Sequence, residues 1–220
     1  MKHVLAGSLF ALSLAVVGCD QTPQHPEDLP WQITVTPDGH PQVFKLEIGK
    51  STLRGVIEHL RSFPEMAVFS HESGKRTLEA YFGTQRIGLF DAKIVAELQA
   101  DDAMLDKFQN EAGKPEGMAS GQWKYPLSET SLKAADALPV RKLVYMPSIN
   151  YEPDIVTARF GEPTERLPAQ KDGVEFWLYP QKGLAIVMNN DGGEILYYTD
   201  RQNYAALKQE LLETKPKNAN

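Results

Sequence analysis

Cysteine is almost missing from this chain: there is one, at position 19. A single cysteine excludes a disulfide framework, and the fold must be held by packing. Basic residues are outnumbered, with Lys and Arg totalling 23 against 29 Asp and Glu. The formal charge is −6 and the pI near 5.4, which argues against nucleic acid, whose binding needs a basic face. It argues equally against holding anionic lipid headgroups by charge. No His-Glu-x-x-His and no Gly-x-Ser-x-Gly occurs. Histidines are few, and His59 and His71 each stand beside a glutamate. Sequence neighbours do not share a helix or strand face, so neither pair makes a metal site alone. Gly49-Lys50-Ser51-Thr52 resembles the end of a phosphate-binding loop, but Phe44 stands where that loop needs glycine. We therefore expect no metal, no nucleotide, no other cofactor and no enzymatic activity.

What is present starts at the N-terminus. Met1-Lys2-His3 is a short positive stretch, and Val4 to Val17 is apolar apart from small interruptions. That run is too short to span a bilayer and reads as a secretory signal. It ends in Val16-Val17-Gly18-Cys19, similar to a bacterial lipobox, in which the cysteine is lipidated and the signal removed before it. Several acyl chains on one cysteine pass the threshold for stable anchoring. The chain is thus expected on the periplasmic side of the cell envelope, held by lipid on Cys19. Asp20 directly after it resembles the signal for inner-membrane retention, with the outer membrane as the alternative. A lipidated Cys19 leaves no thiol for catalysis. Asp20 to Pro30 is proline-rich and polar, a tether of roughly 30 Å at about 3 Å per residue.

Beyond the tether the hydrophobic fraction of 42% and charged fraction of 24% are ordinary for a globular protein with a real core. Leu53, Val56, Ile57 and Leu60 fall at helical spacing, with Ser51 or Thr52 to cap them. Pro153 to Phe160 reads likewise, with Gly161 to terminate it. Each helix is followed by strand text. In the first half this is Met66 to Ser70, then a hairpin of Leu78–Phe82 and Ile87–Phe90 turning at Gly83 to Arg86, then Lys93 to Leu98. The second half has Val174–Tyr179 and Gly183–Met188 turning at Pro180 to Lys182. Glu194–Tyr198 then follows the Asn190-Asp191-Gly192-Gly193 turn, a strong hairpin signal. Asp101 and Asp200 each open a closing helix. Val43 to Ile48 and Val140 to Met146 precede the two units, and Trp31 to Thr36 adds another strand.

The expected fold is α+β, two tandem helix-plus-antiparallel-sheet units of order β-α-β-β-β-α. The expected boundaries are 1–18 signal, 19–30 lipidated tether, 31–112 first unit, 113–139 linker, 140–214 second unit and 215–220 a disordered tail. Ser128 to Leu138 predicts a short helix in the linker.

Gly49-Lys50-Ser51-Thr52 followed by Val56, and Phe160-Gly161-Glu162-Pro163, resemble the SmpA/OmlA lipoprotein family. Its wider fold is similar to the tandem β-lactamase-inhibitor protein. The family pattern runs from a glycine-led helix start through valine to Leu-Gly-x-Pro. Neither unit carries both ends of it, and Arg61 stands where the first unit should have glycine. The resemblance covers two stretches of 50 to 60 residues. It implies a protein that works by binding other envelope proteins, and no matching position is catalytic.

Aromatic residues on the strands point to the contact surface. Alternation puts Phe176 and Leu178 on one face, Trp177 and Tyr179 on the other. Either the second face is open and Tyr81, Trp177 and Tyr179 are partner-binding candidates, or both faces are covered. Glu58, Glu79 and Glu175 read as isolated, with Glu79 and Glu175 facing water. The expected function is a lipid-anchored periplasmic protein-binding module in envelope assembly or maintenance. The alternatives are an inhibitor of a periplasmic hydrolase and a carboxylate-dependent enzyme acting on an envelope polymer.

Overall fold

The computed structural model describes residues 28–71 and 74–213. The signal, Cys19, the first part of the tether and the tail lie outside the described residues. In chain order the elements are β1 (Thr34–Val35), β2 (Pro41–Val43), β3 (Leu46–Glu47), α1 (Leu53–Leu60), β4 (Glu65–Ser70), β5 (Arg76–Ile87), β6 (Phe90–Leu98), α2 (Asp102–Asn110), β7 (Glu116–Gly117), β8 (Trp123–Pro126), α3 (Glu129–Ala135), β9 (Val140–Pro147), α4 (Pro153–Phe160), β10 (Glu165–Pro168), β11 (Val174–Tyr179), β12 (Leu184–Asn189), β13 (Ile195–Thr199) and α5 (Tyr204–Glu213). The class is α+β with one large antiparallel sheet.

That sheet has ten strands in the order β10-β11-β12-β13-β9-β6-β5-β4-β8-β7. Strands of the two halves join where β6 pairs β9, with Ala96 opposite Leu143 and Ile94 opposite Tyr145. The expected picture of two separate sheets gives way to one continuous sheet, with more strands than the sequence predicts. The segment 113–139, read as a linker, puts β8 onto the free edge of β4. Its rear forms α3, capped by the Ser128 hydroxyl accepting the Ser131 N–H at 3.2 Å.

Helix ends follow local chemistry. Thr52 caps α1 through its hydroxyl, which accepts the Gly55 N–H at 3.3 Å. Asp101 Oδ1 accepts the Met104 N–H at 2.8 Å at the start of α2, and Asp200 Oδ1 accepts the Asn203 N–H at 2.9 Å just before α5. Each cap satisfies an otherwise orphaned amide.

Two strand expectations are corrected. Val43 to Ile48 is not one strand: it breaks at Phe44 and Lys45, both in the left-handed region with φ of 52° and 57°. That conformation costs an L-residue roughly 1–2 kcal/mol. Phe44 is buried, stacked on Tyr145 at 5.2 Å and edge-on to Tyr198 at 5.9 Å, and this packing offsets the strain. The first-half hairpin turns at Gly88-Leu89, not at Gly83 to Arg86. Gly83 instead marks a β-bulge, where the β5–β6 register shifts between Tyr81 and Gly83.

The sheet has unequal faces. On one lie Leu78, Ala80, Ile94, Leu143, Leu184 and Trp177, in a single core with α1, α2, α3, α4 and the small β1-β2-β3 sheet. On the other, Leu207 and Leu211 of α5 pack on Phe176, Leu178 and Ala185, and among the described residues no second hydrophobic cluster covers that face. Among the described residues no helix is long and apolar enough to cross a membrane.

Candidate functional site

Beside α5, on the thinly covered face, a groove of about 290 Å³ runs over the middle of the sheet. That is close to the lower end of the range for ligand pockets. Its floor follows from alternation. Thr77, Glu79 and Tyr81 on β5, Val95 and Glu97 on β6, and Lys142, Val144 and Met146 on β9 point away from the main core. The register then aligns Glu79 opposite Glu97 and Glu97 opposite Lys142 across three adjacent strands.

Two carboxylates placed directly opposite repel one another, so compensation is required, and it is unequal. Lys142 Nζ lies 2.6 Å from Glu97 Oε2 and 2.9 Å from Glu210 Oε1 on α5. Arg141 also reaches Glu97. A bulge in the β6–β9 pairing allows this: Glu97 faces Lys142 while Leu98 faces Val140, leaving Arg141 as the extra residue. Glu97 and Lys142 are both buried. Lys75 Nζ lies 2.8 Å from the other oxygen of Glu210. Burial pushes Glu210 up, but Lys142 and Lys75 outweigh it and hold it below the ordinary carboxylate range.

Glu79 is different. Among the described residues it forms no ion pair within 4 Å. Its Oε1 accepts the Thr77 hydroxyl at 2.8 Å. Burial raises its pKa, and the Thr77 hydrogen bond and the field of Lys142 only partly oppose this. At the rim the Gln122 side-chain amide meets the His71 ring at 3.0 Å. Burial, and then Lys75, keep His71 below its ordinary value. The groove thus has a charge-compensated end with one uncompensated carboxyl. From there it runs into an apolar wall of Val95, Val144, Met146 and Ile195.

The three partner-binding candidates separate. Tyr81, 40% exposed, lies on this open face opposite Val95. Trp177 is 3% exposed and belongs to the main core, and Tyr179 is buried with it. Of the two alternatives the sequence leaves open, the covered face holds for Trp177 and Tyr179, because both faces are packed at that end of the sheet. The Trp177 ring lies under the Arg166 guanidinium at 4.0 Å, and its indole N–H donates to Glu175 at 3.0 Å. Tyr179 donates to the Gly161 carbonyl at 3.1 Å, and burial pushes its pKa up to about 12. Cys19 lies outside the described residues. Glu175 is exposed as expected, but Glu79 is partly buried and faces Glu97 rather than standing isolated in water.

Glu97, Lys142 and Glu210 were missed. Alternation in Lys93 to Leu98 and in Arg141 to Met146 carries part of the signal, but the cross-strand register that joins them is not in the local text. A second hollow of about 330 Å³ lies beside Trp177, bounded by Asn150, Glu175 and Asn189. Its buried Glu194 is already engaged by the Tyr151 N–H at 2.8 Å. Among the described residues no group of three or more His, Cys, Asp or Glu is placed to hold a metal ion.

Fold and groove together define a mixed α+β protein in which, among the described residues, one half of one sheet face is left open. Comparison of the chain with protein-family models, curated proteins and solved structures returned no match.

Proposed function

We propose that the chain is a lipid-anchored, periplasm-facing envelope protein that binds a protein partner on the open half of its sheet. One observation carries the binding reading. Among the described residues no helix packs over the face bearing Tyr81, Val95, Val144 and Met146, while α5 covers the same face at the other end. Partly exposed apolar and aromatic side chains grouped on one face mark interaction sites. The signal text ending at Cys19 supports the anchor, and the resemblance to the SmpA/OmlA family supports a binding role in envelope assembly or maintenance.

The same reading takes the two halves, Val43–Phe108 and Val140–Leu211, as repeats of order β-α-β-β-β-α, with the second half carrying one strand more after its first helix: β4-β5-β6 follow α1, and β10-β11-β12-β13 follow α4. Support comes from α1 and α4, which have equal lengths and are each followed by a residue with positive φ, Arg61 at 50° and Gly161 at 83°. Superposition of the halves in an experimental structure tests it.

A photo-crosslinking residue at Tyr81 or Val144 of the full chain, in its native envelope, tests the binding surface. Discrete protein adducts at both positions, absent from the exposed position Ala205 on α5, are expected. The same pattern at all three positions, or none at the first two, overturns the reading.

A second reading has one observation behind it. Glu79 is a carboxyl held more protonated than usual in a groove, as a general acid would be. Paired-carboxylate hydrolysis also needs a free base or nucleophile. Glu97 and Glu210 are bound to Arg141, Lys142 and Lys75, so the site favours binding over catalysis.

A further inference from the structure

One end of the sheet carries large apolar side chains on three separate loops. At the tip of the β5–β6 hairpin Leu89 is 55% exposed. On the neighbouring strand Pro147 faces Ala92, and the Ser148 N–H donates to the Asp91 carbonyl at 2.8 Å. The next residue, Ile149, is 47% exposed. On the other side the Gln85 side-chain amide donates to the Ser62 hydroxyl at 3.2 Å, tying the α1–β4 loop to the same end of β5. The next residue there, Phe63, is 88% exposed. Single exposed apolar residues are ordinary, but three on loops gathered towards one end of the sheet call for an explanation.

The N-terminal segment enters the fold at this same end. A side chain on Gly88 would meet the Asp28 carbonyl at 2.7 Å, so Asp28 lies against the hairpin turn. Trp31 then packs edge-on against Phe90 at 5.7 Å and Phe160 at 6.2 Å. Tyr198 donates to the Pro30 carbonyl at 2.8 Å. The chain between Cys19 and Asp28, at no more than about 3.3–3.6 Å per residue, spans only ~30 Å.

We propose that Phe63, Leu89 and Ile149 form a membrane seat, resting in the interfacial layer of the bilayer that carries the Cys19 anchor. This rests on the lipid-anchor reading above. The attraction is apolar: at this end Arg86 is paired with Asp91 at 3.4 Å and Lys45 with Asp28 at 3.6 Å, while Arg61, two residues before Phe63, is exposed and adds a cation beside the apolar side chains. Lipid and shallow apolar insertion reinforce one another, since each shortens the search of the other for the surface. The strands then rise from the membrane. Glu79 stands ten residues along β5 from Leu89, about 30 Å above the seat at ~3.3 Å per residue, and the groove opens sideways into the periplasm.

The test uses the full lipidated chain in vesicles of phosphatidylethanolamine and phosphatidylglycerol. An environment-sensitive fluorophore is placed on Leu89→Cys, with Glu116→Cys at the far end of the sheet as reference. Flotation reports the anchor. The seat predicts a chain that floats, a blue-shifted label at 89 quenched by lipid-borne quencher, and a label at 116 that responds to neither. A chain that floats with both labels equally in water overturns the seat and leaves the anchor standing. Failure to float overturns the anchor and the seat with it. Shielding of position 89 in native envelopes but not in pure vesicles makes this end a protein contact and overturns the proposal. In Phe63→Ser/Ile149→Ser chains labelled at 89, the blue shift is expected to shrink while flotation persists.

Discussion

At the residue scale, Trp177 and Glu79 show how burial decides what alternation leaves open: Trp177 lies inside and Glu79 lines a groove. Trp177 is sealed in the main core beneath Arg166. Trp177→Ala should therefore cost roughly 3–5 kcal/mol, as for other large-to-small core changes. Denaturant unfolding measures it, and a loss below ~1 kcal/mol would mean that the ring is not a core residue. Glu79 is the carboxyl without an ion pair among the described residues, and burial raises its pKa. A raised folded-state pKa means the folded state holds the proton more tightly than the unfolded chain. Its contribution is full below the ordinary glutamate value, near ~4.3, and is lost as pH rises through the folded value. Glu79→Gln removes the titration and keeps an acceptor for Thr77. The variant should match wild type in acid and exceed it in stability near neutrality. Glu210 has the opposite sign, its contribution being lost as pH falls through its lowered value. It is present in both chains and drops out of the difference. Equal pH slopes for the two proteins would show that Glu79 is not perturbed by burial.

At the element scale, what the sequence made legible was local. The spacing of Leu53, Val56 and Leu60 and the proline-to-glycine frame of Pro153 to Gly161 return as α1 and α4. Pro180 to Lys182 is a tight 3-10 turn between β11 and β12, and the Asn-Asp-Gly-Gly text joins β12 to β13. The misread hairpin has a physical cause. Gly83 and Gly88 both have positive φ, at 67° and 57°, and a bulge glycine carries the same local signal as a turn glycine. The groove was least legible, because Glu79, Glu97, Lys142 and Glu210 come from four elements joined only by register and packing. Whether a sheet face is open depends on how far α5 extends over it, which no strand pattern encodes. The end of α1 shows how strongly local chemistry does speak. Arg61, read as standing in a glycine's place, adopts φ 50° and ψ 37°. The left-handed region costs an L-residue roughly 1–2 kcal/mol, and the Arg61 side chain is exposed. Arg61→Gly should therefore raise stability by about 1 kcal/mol, less whatever glycine adds to unfolded-chain entropy. A higher denaturation midpoint at unchanged slope checks it, and a lower midpoint would show that Arg61 makes contacts outweighing the strain.

At the scale of the whole molecule, the decisive feature is the seam where β6 meets β9. Tandem repeats that fold independently would have separate cores, and each could melt alone. Here Leu78 and Ile94 from the first half share one core with Tyr145, Leu184 and Trp177 from the second, beneath helices of both. The seam is also tied on the opposite face, where Lys142 and Arg141 of β9 engage Glu97 of β6 and Lys142 reaches Glu210 on α5. Opening it would expose Ala96 and Leu143, both buried, and strip buried charges of their partners. Removing one partner of a buried pair alone costs about 3–5 kcal/mol. A domain's total stability is only about 5–15 kcal/mol, so an open-seam state would lie close to full unfolding and stay unpopulated. The chain from Asp20 onward should therefore melt in a single transition, with calorimetric and van't Hoff enthalpies equal. Leu143→Ala, at the seam, should cost about 2–5 kcal/mol. It should shift the midpoints seen by indole fluorescence, reporting Trp31, Trp123 and Trp177, and by far-ultraviolet dichroism, reporting all strands, by the same amount. Two resolved transitions, or a Leu143→Ala chain whose two probes melt apart, would mean that the halves hold their cores separately and that the shared sheet is only a contact between them.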